Sequence, residues 1–222
     1  MHVYGPTGVS RVVAGFEQAY ALDCHYRTAH HGDDLLNPEK GKMMPIEIDV
    51  TEQPKLILDE DGLRVTLFRV GHDPIDPAVG YRFDYRGRSV VVSGDTVKSA
   101  SLIAASKEAD VLVHEALAMH IIGRMQAQAK DQDRRRLERI FYDIQDYHTS
   151  PVEAAELAND AKVKELVLYH LVPSPTNKLV ENIFLRGVSS VRPDGVTLAE
   201  DGMVIDLPLS SETVIFRSIN DY

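Results

Sequence analysis

The sequence predicts an α/β (α+β) fold organised around a mixed sheet, and three observations carry that prediction. Residues 46 to 92 hold short apolar or alternating segments separated by Asp61-Gly62 and Arg86-Gly87, the signature of antiparallel strands joined by tight turns. Beyond residue 95 the order changes to apolar strands alternating with helical stretches, as in parallel βαβ units. Finally, several apolar runs end in His, Asp or Glu, which places polar chemistry at strand ends.

The elements follow in order. Val3-Tyr4 runs into Gly5-Pro6-Thr7-Gly8, a turn that opens a helical pattern from Ser10 to about Asp23. Residues 24 to 45 read as loop. IEIDV, KLILDEDG, LRVTLFRV, GYRFDYRG and SVVVSG read as strands. SASLIAASKEA reads as a helix, DVLVHEA as a strand, and residues 117 to 142 as one long polar helix. PVEAAELANDAK, ELVLYHLV and NKLVENIFLRGVSS complete the alternation as helix, strand and helix, and GVTLAEDGMVIDLP reads as a closing hairpin. There is no internal repeat or low-complexity tract, so residues 1–222 are expected to form a single domain.

Composition narrows the function. A chain of 222 residues with 44% hydrophobic side chains is long enough to bury a core. The net charge of −10 disfavours a broad electrostatic grip on nucleic acid while leaving room for a local basic patch. One such patch is Asp133-Arg134-Arg135-Arg136 with Arg139, read as a solvated helix face and only secondarily as an anion site. With Cys24 as the one cysteine, a disulfide framework and a thiolate zinc site are excluded. No stretch approaches the roughly 20 apolar residues of a membrane span, and the first residues lack a signal-peptide pattern. The chain as given therefore reads as cytoplasmic and without a membrane partner.

The chemistry-bearing residues are those at the strand ends. His72 follows LRVTLFRVG, Asp95 follows SVVVSG, and His170 closes ELVLY. Layered α/β folds deliver the loops at their strands' carboxyl ends to a common edge, so residues far apart in sequence converge there. Imidazole and carboxylate suit zinc, and a carboxylate is able to bridge two metals. Each residue also has a plainer reading: a hydrogen-bonded structural histidine, or, for Asp95, an N-cap of the following helix. His148 precedes Thr149-Ser150-Pro151, with Ser150 and Glu153 in capping-box spacing and Pro151 at the first helical position, which fixes it on an anchored turn. Glu115 emerges from DVLV and is placed to hold the His148 imidazole in one tautomer, or else forms a simple buried pair with it. His114 points to the other face of its strand and reads as structural, and His30-His31 reads as loop.

The motifs GHDPIDPAVGYRFDYRGRSVVVSGDT, VLVHEA, YHTSPVEAAELA and VLYHLVP stand in the order found in the metallo-β-lactamase superfamily, and most resemble its ribonuclease Z-like branch. The resemblance implies a four-layer αββα sandwich, incomplete at its N-terminus, and a zinc-dependent hydrolase. It implies that His72 and His170 each hold one of two zinc ions, or another divalent metal such as Mn2+, with Asp95 shared between them. It further implies that His148 assists the leaving group and that Glu115 orients it.

Two departures accompany the resemblance. The HxHxDH motif of these enzymes is missing; HHGDD at residues 30–34 has the wrong spacing and follows the Gly-Pro turn. The expectation is a chain that lacks its N-terminal part, in which case the compartment is open, or a non-catalytic subunit. Also, only twelve residues separate Arg82 from Asp95, which leaves no room for the tRNA-gripping arm of many ribonuclease Z enzymes. The expected substrate is a small-molecule or nucleic-acid ester, a phosphodiester first and an arylsulfatase-type ester second; tRNA is disfavoured. A homodimer is the expected assembly for a chain with an uncovered apolar face.

Overall fold

A computed structural model describes residues 1–221. The chain divides into two compact units, Met1–Thr51 and Glu52–Tyr222. In the first, strand β1 (His2–Pro6) pairs in parallel with β2 (Met44–Ile48), connected by helix α1 (Val9–His31) and the single turn α2 (Pro38–Gly41). Helix α1 runs eight residues past the expected end, through the segment read as loop. Its only buried residue is Val13, so no core-facing stripe marks its length, and an Asp23–Arg27 pair at 2.8 Å links successive turns of its second half. Gly32 ends it with φ 89° and ψ 151°, a backbone open to glycine, while its N–H donates to the Thr28 carbonyl.

The second unit is built on a seven-stranded sheet in sequence order: β3 (Lys55–Glu60), β4 (Leu63–His72), β5 (Ile75–Tyr85), β6 (Arg88–Val92), β7 (Val111–Leu117), β8 (Glu165–Val172) and β9 (Val196–Leu198). The pairings from β3 to β6 are antiparallel and those from β6 to β9 parallel. The mixed sheet predicted from the change of pattern at residue 95 is therefore observed. This topology has a consequence for function. Two reversals bring β4 back to the direction of β6, so β4, β6, β7 and β8 all end at one edge.

Helix α3 (Ala100–Ala105) connects β6 to β7; α4 (Met119–Asp131), α5 (Arg135–Asp143) and α6 (Pro151–Asp160) connect β7 to β8; α7 (Lys178–Phe184) and α8 (Val188–Val191) lead to β9. Phe68, Val70, Val91, Leu112, Leu166 and Leu168 from the sheet form one buried cluster with Leu102 of α3, Ala154, Ala155, Leu157 and Ala158 of α6, and Phe184 of α7. The α6 residues recur at helical spacing, and three of the four are alanines, which lets that helix lie close to the strands. Each fully buried Leu or Phe contributes about 1.5–3 kcal/mol.

Three expectations about elements are corrected here. The long polar helix is two, broken at Asp133, whose φ of 51° is left-handed; the Arg134 N–H donates to the Ala129 carbonyl and closes the turn. The closing hairpin does not form. Strand β9 pairs with β8, and β10 (Met203–Asp206) pairs antiparallel with β11 (Ile215–Ser218) in a separate two-stranded sheet. Lastly, Ser99 and not Asp95 caps α3, its hydroxyl accepting from the Leu102 N–H.

Asp110 pins the start of β7. It accepts from the Ser89 N–H at 2.8 Å, pairs with Arg88 at 3.2 Å with both side chains buried, and with Lys164 at 3.0 Å. Burial raises its pKa, but the Ser89 bond and the two cations outweigh burial, and the net shift is downward. Asp110→Ala, which leaves Arg88 buried without its partner, is expected to lower unfolding free energy by about 3 kcal/mol at neutral pH in urea titrations. Because the folded-state pKa is the lower one, this contribution is present above the usual carboxylate range and lost as pH falls through the depressed value. The gap between wild type and variant therefore narrows in acid; a gap that widened would contradict the assignment.

Candidate metal centre and active site

The edge where β4, β6, β7 and β8 end gathers the residues that the sequence singled out. Asp95 lies three residues past β6, Glu115 near the end of β7, His72 at the last position of β4, His170 near the end of β8, and His148 just before α6.

Local structure explains each placement. In Ser93-Gly94-Asp95-Thr96, Gly94 has φ 65°, and a Cβ there would lie 2.5 Å from the Val79 carbonyl oxygen. Only glycine passes the chain over β5 at that point, which sets Asp95 beyond the strand end. His148 leads into a complete capping box: the Ser150 hydroxyl accepts from the Glu153 N–H, the Glu153 carboxylate accepts from the Ser150 N–H, and Pro151 occupies the first turn. His170 is the extra residue of a β-bulge. Glu115 pairs with Tyr169 and Ala116 with Leu171, so His170 is skipped, and its φ of 46° is left-handed. A bulge of this kind re-aims one side chain without disturbing the strand beyond it, and a left-handed non-glycine residue carries strain that the surrounding ladder holds in place.

Glu115 is the centre of the arrangement. Its side chain is wholly buried, and Oε1 accepts from the Thr96 N–H at 3.2 Å, the Thr149 N–H at 3.0 Å and the His148 Nδ1–H at 3.0 Å. The loop after β6 and the turn before α6 are thus fastened to one carboxylate on β7. The Thr149 hydroxyl adds a bond to the Thr96 carbonyl at 2.5 Å, and Lys98 pairs with Glu156 of α6 at 2.9 Å. With Nδ1 committed to Glu115, His148 presents Nε2 outward.

Ligand atoms of Asp95, His148 and His170 lie within 4.8 Å of one another, and His170 Nε2 is 3.6 Å from Asp95 Oδ2. His72 stands beside this group rather than in it. Its ring centroid is 5.2 Å from that of His148, and its Nδ1–H donates to the Tyr147 carbonyl at 2.9 Å, leaving Nε2 as its available atom. Two imidazoles and a carboxylate are ligands that zinc and related divalent cations take. A second ring nitrogen tied to a carboxylate or carbonyl is the usual support of a metal-binding histidine, so the residues present fit a divalent metal.

Neighbouring residues serve the fold. His114 is fully buried, donates Nδ1–H to the Glu115 carbonyl at 2.6 Å, and has its pKa pushed down by burial, which keeps it neutral. His30 and His31 lie exposed in the last turn of α1, a helix where a loop was expected. Tyr169 has its phenol pKa raised by burial and by the charge of Asp95, so it stays protonated beside the site. Sequence reasoning missed Thr96, Tyr147 and Thr149, although each adjoins a residue it selected; a backbone N–H or carbonyl acting through its position leaves no side-chain signal.

A family model described as a β-lactamase superfamily domain matches residues 1–171. The chain belongs to the metallo-β-lactamase superfamily. The ribonuclease Z of Mycobacterium tuberculosis strain H37Rv is 36% identical over 173 residues, which are 78% of this chain and 56% of that protein. A ribonuclease Z of Mycolicibacterium gilvum is also 36% identical, over 78% of this chain and 54% of its own length. This metallo-β-lactamase chain therefore spans little more than half the length of these curated relatives. Among solved structures, the metallo-β-lactamase fold protein YhfI from Bacillus subtilis superposes with a TM-score of 0.55 at 20% identity, over 90% of this chain and 62% of that one. Human tRNase Z, short form, gives 0.53 at 23% identity, over 94% and 67%. At these identities the two structures establish the metallo-β-lactamase fold.

Replacing Glu115 tests the anchoring. Glu115→Ala strands two buried N–H groups and one imidazole N–H, at about 1–3 kcal/mol each, so a loss of at least about 3 kcal/mol is expected in urea unfolding. Glu115→Gln retains an acceptor at Oε1 and is expected to lose clearly less. Equal losses for the two variants would show that the hydrogen bonds do not carry the effect.

Proposed function

We propose that the chain is the metal- and proton-handling part of a hydrolase that cleaves a phosphodiester bond in RNA. The single observation that carries this reading is the convergence of Asp95, His148 and His170, with His148 fixed by Glu115, at the carboxyl edge of the sheet. Membership of the superfamily and the similarity to proteins named ribonuclease Z supply the reaction class. They also favour a phosphodiester over the sulfate ester and bring RNA, including tRNA, back into consideration despite the chain's acidity.

In this proposal Asp95 and His170 hold a divalent metal, zinc by ligand type, and His72 offers Nε2 from the end of β4 at the same sheet edge. A bound metal of this kind lowers the pKa of a coordinated water and polarises the ester oxygen. The chain's own residues do the rest. Asp95 neutralises part of the cation's charge and fixes its position beside His170. His148, held through Nδ1 by the buried carboxylate, turns Nε2 toward the same space; as the imidazolium it gives its Nε2 proton to the departing oxygen and is left as the neutral Nδ1–H form. The Tyr147 carbonyl keeps His72 in a single tautomer, and the bulge at His170 aims its ring toward Asp95.

The test is Asp95→Ala, read by metal titration calorimetry and by cleavage of an RNA substrate. Metal affinity is expected to fall at least 100-fold and cleavage to disappear, with the thermal unfolding midpoint little changed because Asp95 is partly exposed. Unaltered metal binding in the variant would reject the assignment.

A further inference from the structure

The α4–α5 hairpin is inserted between two residues of the site. It begins four residues after Glu115 and ends five residues before His148, so each connection reaches no more than about 18 Å. The second helix folds back on the first: Gln145, just past α5, donates to Gln126 of α4 at 3.1 Å. At its far turn the hairpin carries Arg134, Arg135 and Arg136, all exposed. Arg135 and Arg139 pair with Asp133 and Asp143 at 3.0 and 2.9 Å, whereas Arg134 and Arg136 make no ion pair among the described residues.

Folding gives no reason for this cluster. Cations in the first turn of a helix lie at its positive end, where they are disfavoured, and the three arginines repel one another. The chain carries −10 overall, so the concentration is local. Between the two helices lies a groove of about 460 Å³ lined by Gln126, Arg135, Glu138, Arg139 and Tyr142. The Tyr142 ring is half exposed, with the Arg139 guanidinium 5.7 Å from its centroid. Arginines for phosphates beside an exposed aromatic ring for a base form the combination that single-stranded RNA uses.

We infer that the α4–α5 hairpin is an RNA-holding arm: Arg134, Arg135 and Arg136 contact backbone phosphates, and Tyr142 stacks on a base nearer the site. The inference rests on the RNA reading above and adds where the substrate lies. Helix α4 is 13 residues long, about 20 Å, so a strand laid along it spans about six nucleotides at 3.4 Å each. The arm supplies locally the positive charge that the chain lacks globally, in place of an insertion between Arg82 and Asp95.

The experiment is fluorescence anisotropy of the full chain with a labelled RNA stem-loop carrying a single-stranded 3′ tail, across a salt series. Arg134→Gln/Arg135→Gln/Arg136→Gln is expected to weaken binding about 10-fold or more and to flatten the log–log salt dependence by about 2, three contacts at about 0.7 each. Tyr142→Ala is expected to weaken binding with the salt slope unchanged. Circular dichroism confirms that the variants fold; should the triple variant not, the three single replacements are each expected to lower the slope by about 0.7. Equal affinity and slope for wild type and variants would overturn the arm while leaving the RNA reading intact. A wild-type chain that binds no RNA would overturn both. Tighter binding to phosphatidylserine vesicles than to RNA, lost in the triple variant, would assign the patch to a lipid surface and overturn the inference.

Discussion

The Glu115 carboxylate lies wholly out of solvent and gathers three hydrogen bonds at one oxygen. A carboxylate in that position is costly unless it is bonded, and the three donors that offset the cost come from two separate segments: Thr96 from the loop after β6, and His148 and Thr149 from the turn before α6. Their positions are therefore coupled. Asp95 is one residue from Thr96 and His148 one residue from Thr149, so both side chains share one buried anchor.

The rest of the sheet is arranged so that this anchor has something to hold. Antiparallel pairing up to β6 and parallel pairing beyond it send β4, β6, β7 and β8 to the same edge. The capping box of α6 fixes the turn that carries His148. The bulge at His170 interrupts the parallel ladder between β7 and β8, and the left-handed residue there is a candidate ligand. A left-handed residue inside a strand, held by well-formed neighbours, is a pattern that functional positions tolerate.

Much of this was legible in the sequence because it rests on local patterns. The strands around Asp61-Gly62 and Arg86-Gly87, the change to alternating order after Asp95, and the Ser150–Glu153 box all have short-range signals. The strand-end rule brings His72, Asp95 and His170 to one edge, whereas His148, on the turn before α6, is reached through the resemblance to the metallo-β-lactamase superfamily. What escaped depended on tertiary structure. Helix α1 buries only Val13 and so had no periodicity to extend it, and Gly32 was a stop signal left unused. The break at Asp133 is a backbone choice inside a uniformly polar run, and β9 pairs with β8 through a crossover that no hairpin signal encodes. Tyr147 holds His72 through its carbonyl and Thr149 holds Glu115 through its N–H, and main-chain contacts of this kind leave no side-chain signal. His72 shares the sheet edge with Asp95 and His170 and stands one imidazole away, its Nδ1–H donated to the Tyr147 carbonyl.

The superfamily fold alone does not specify a reaction; what favours hydrolysis is the His148 imidazole, fixed by Glu115, beside Asp95 and His170. The most direct measurement is long-range proton–nitrogen correlation NMR of the histidine rings, at a pH where His148 is neutral. The account predicts the Nδ1–H tautomer for His148 in the wild-type chain, with Nε2 unprotonated, and a shift toward mixed tautomers in Glu115→Ala. An Nε2–H tautomer in the wild type, or an Nδ1–H tautomer equally populated without the Glu115 carboxylate, would contradict it.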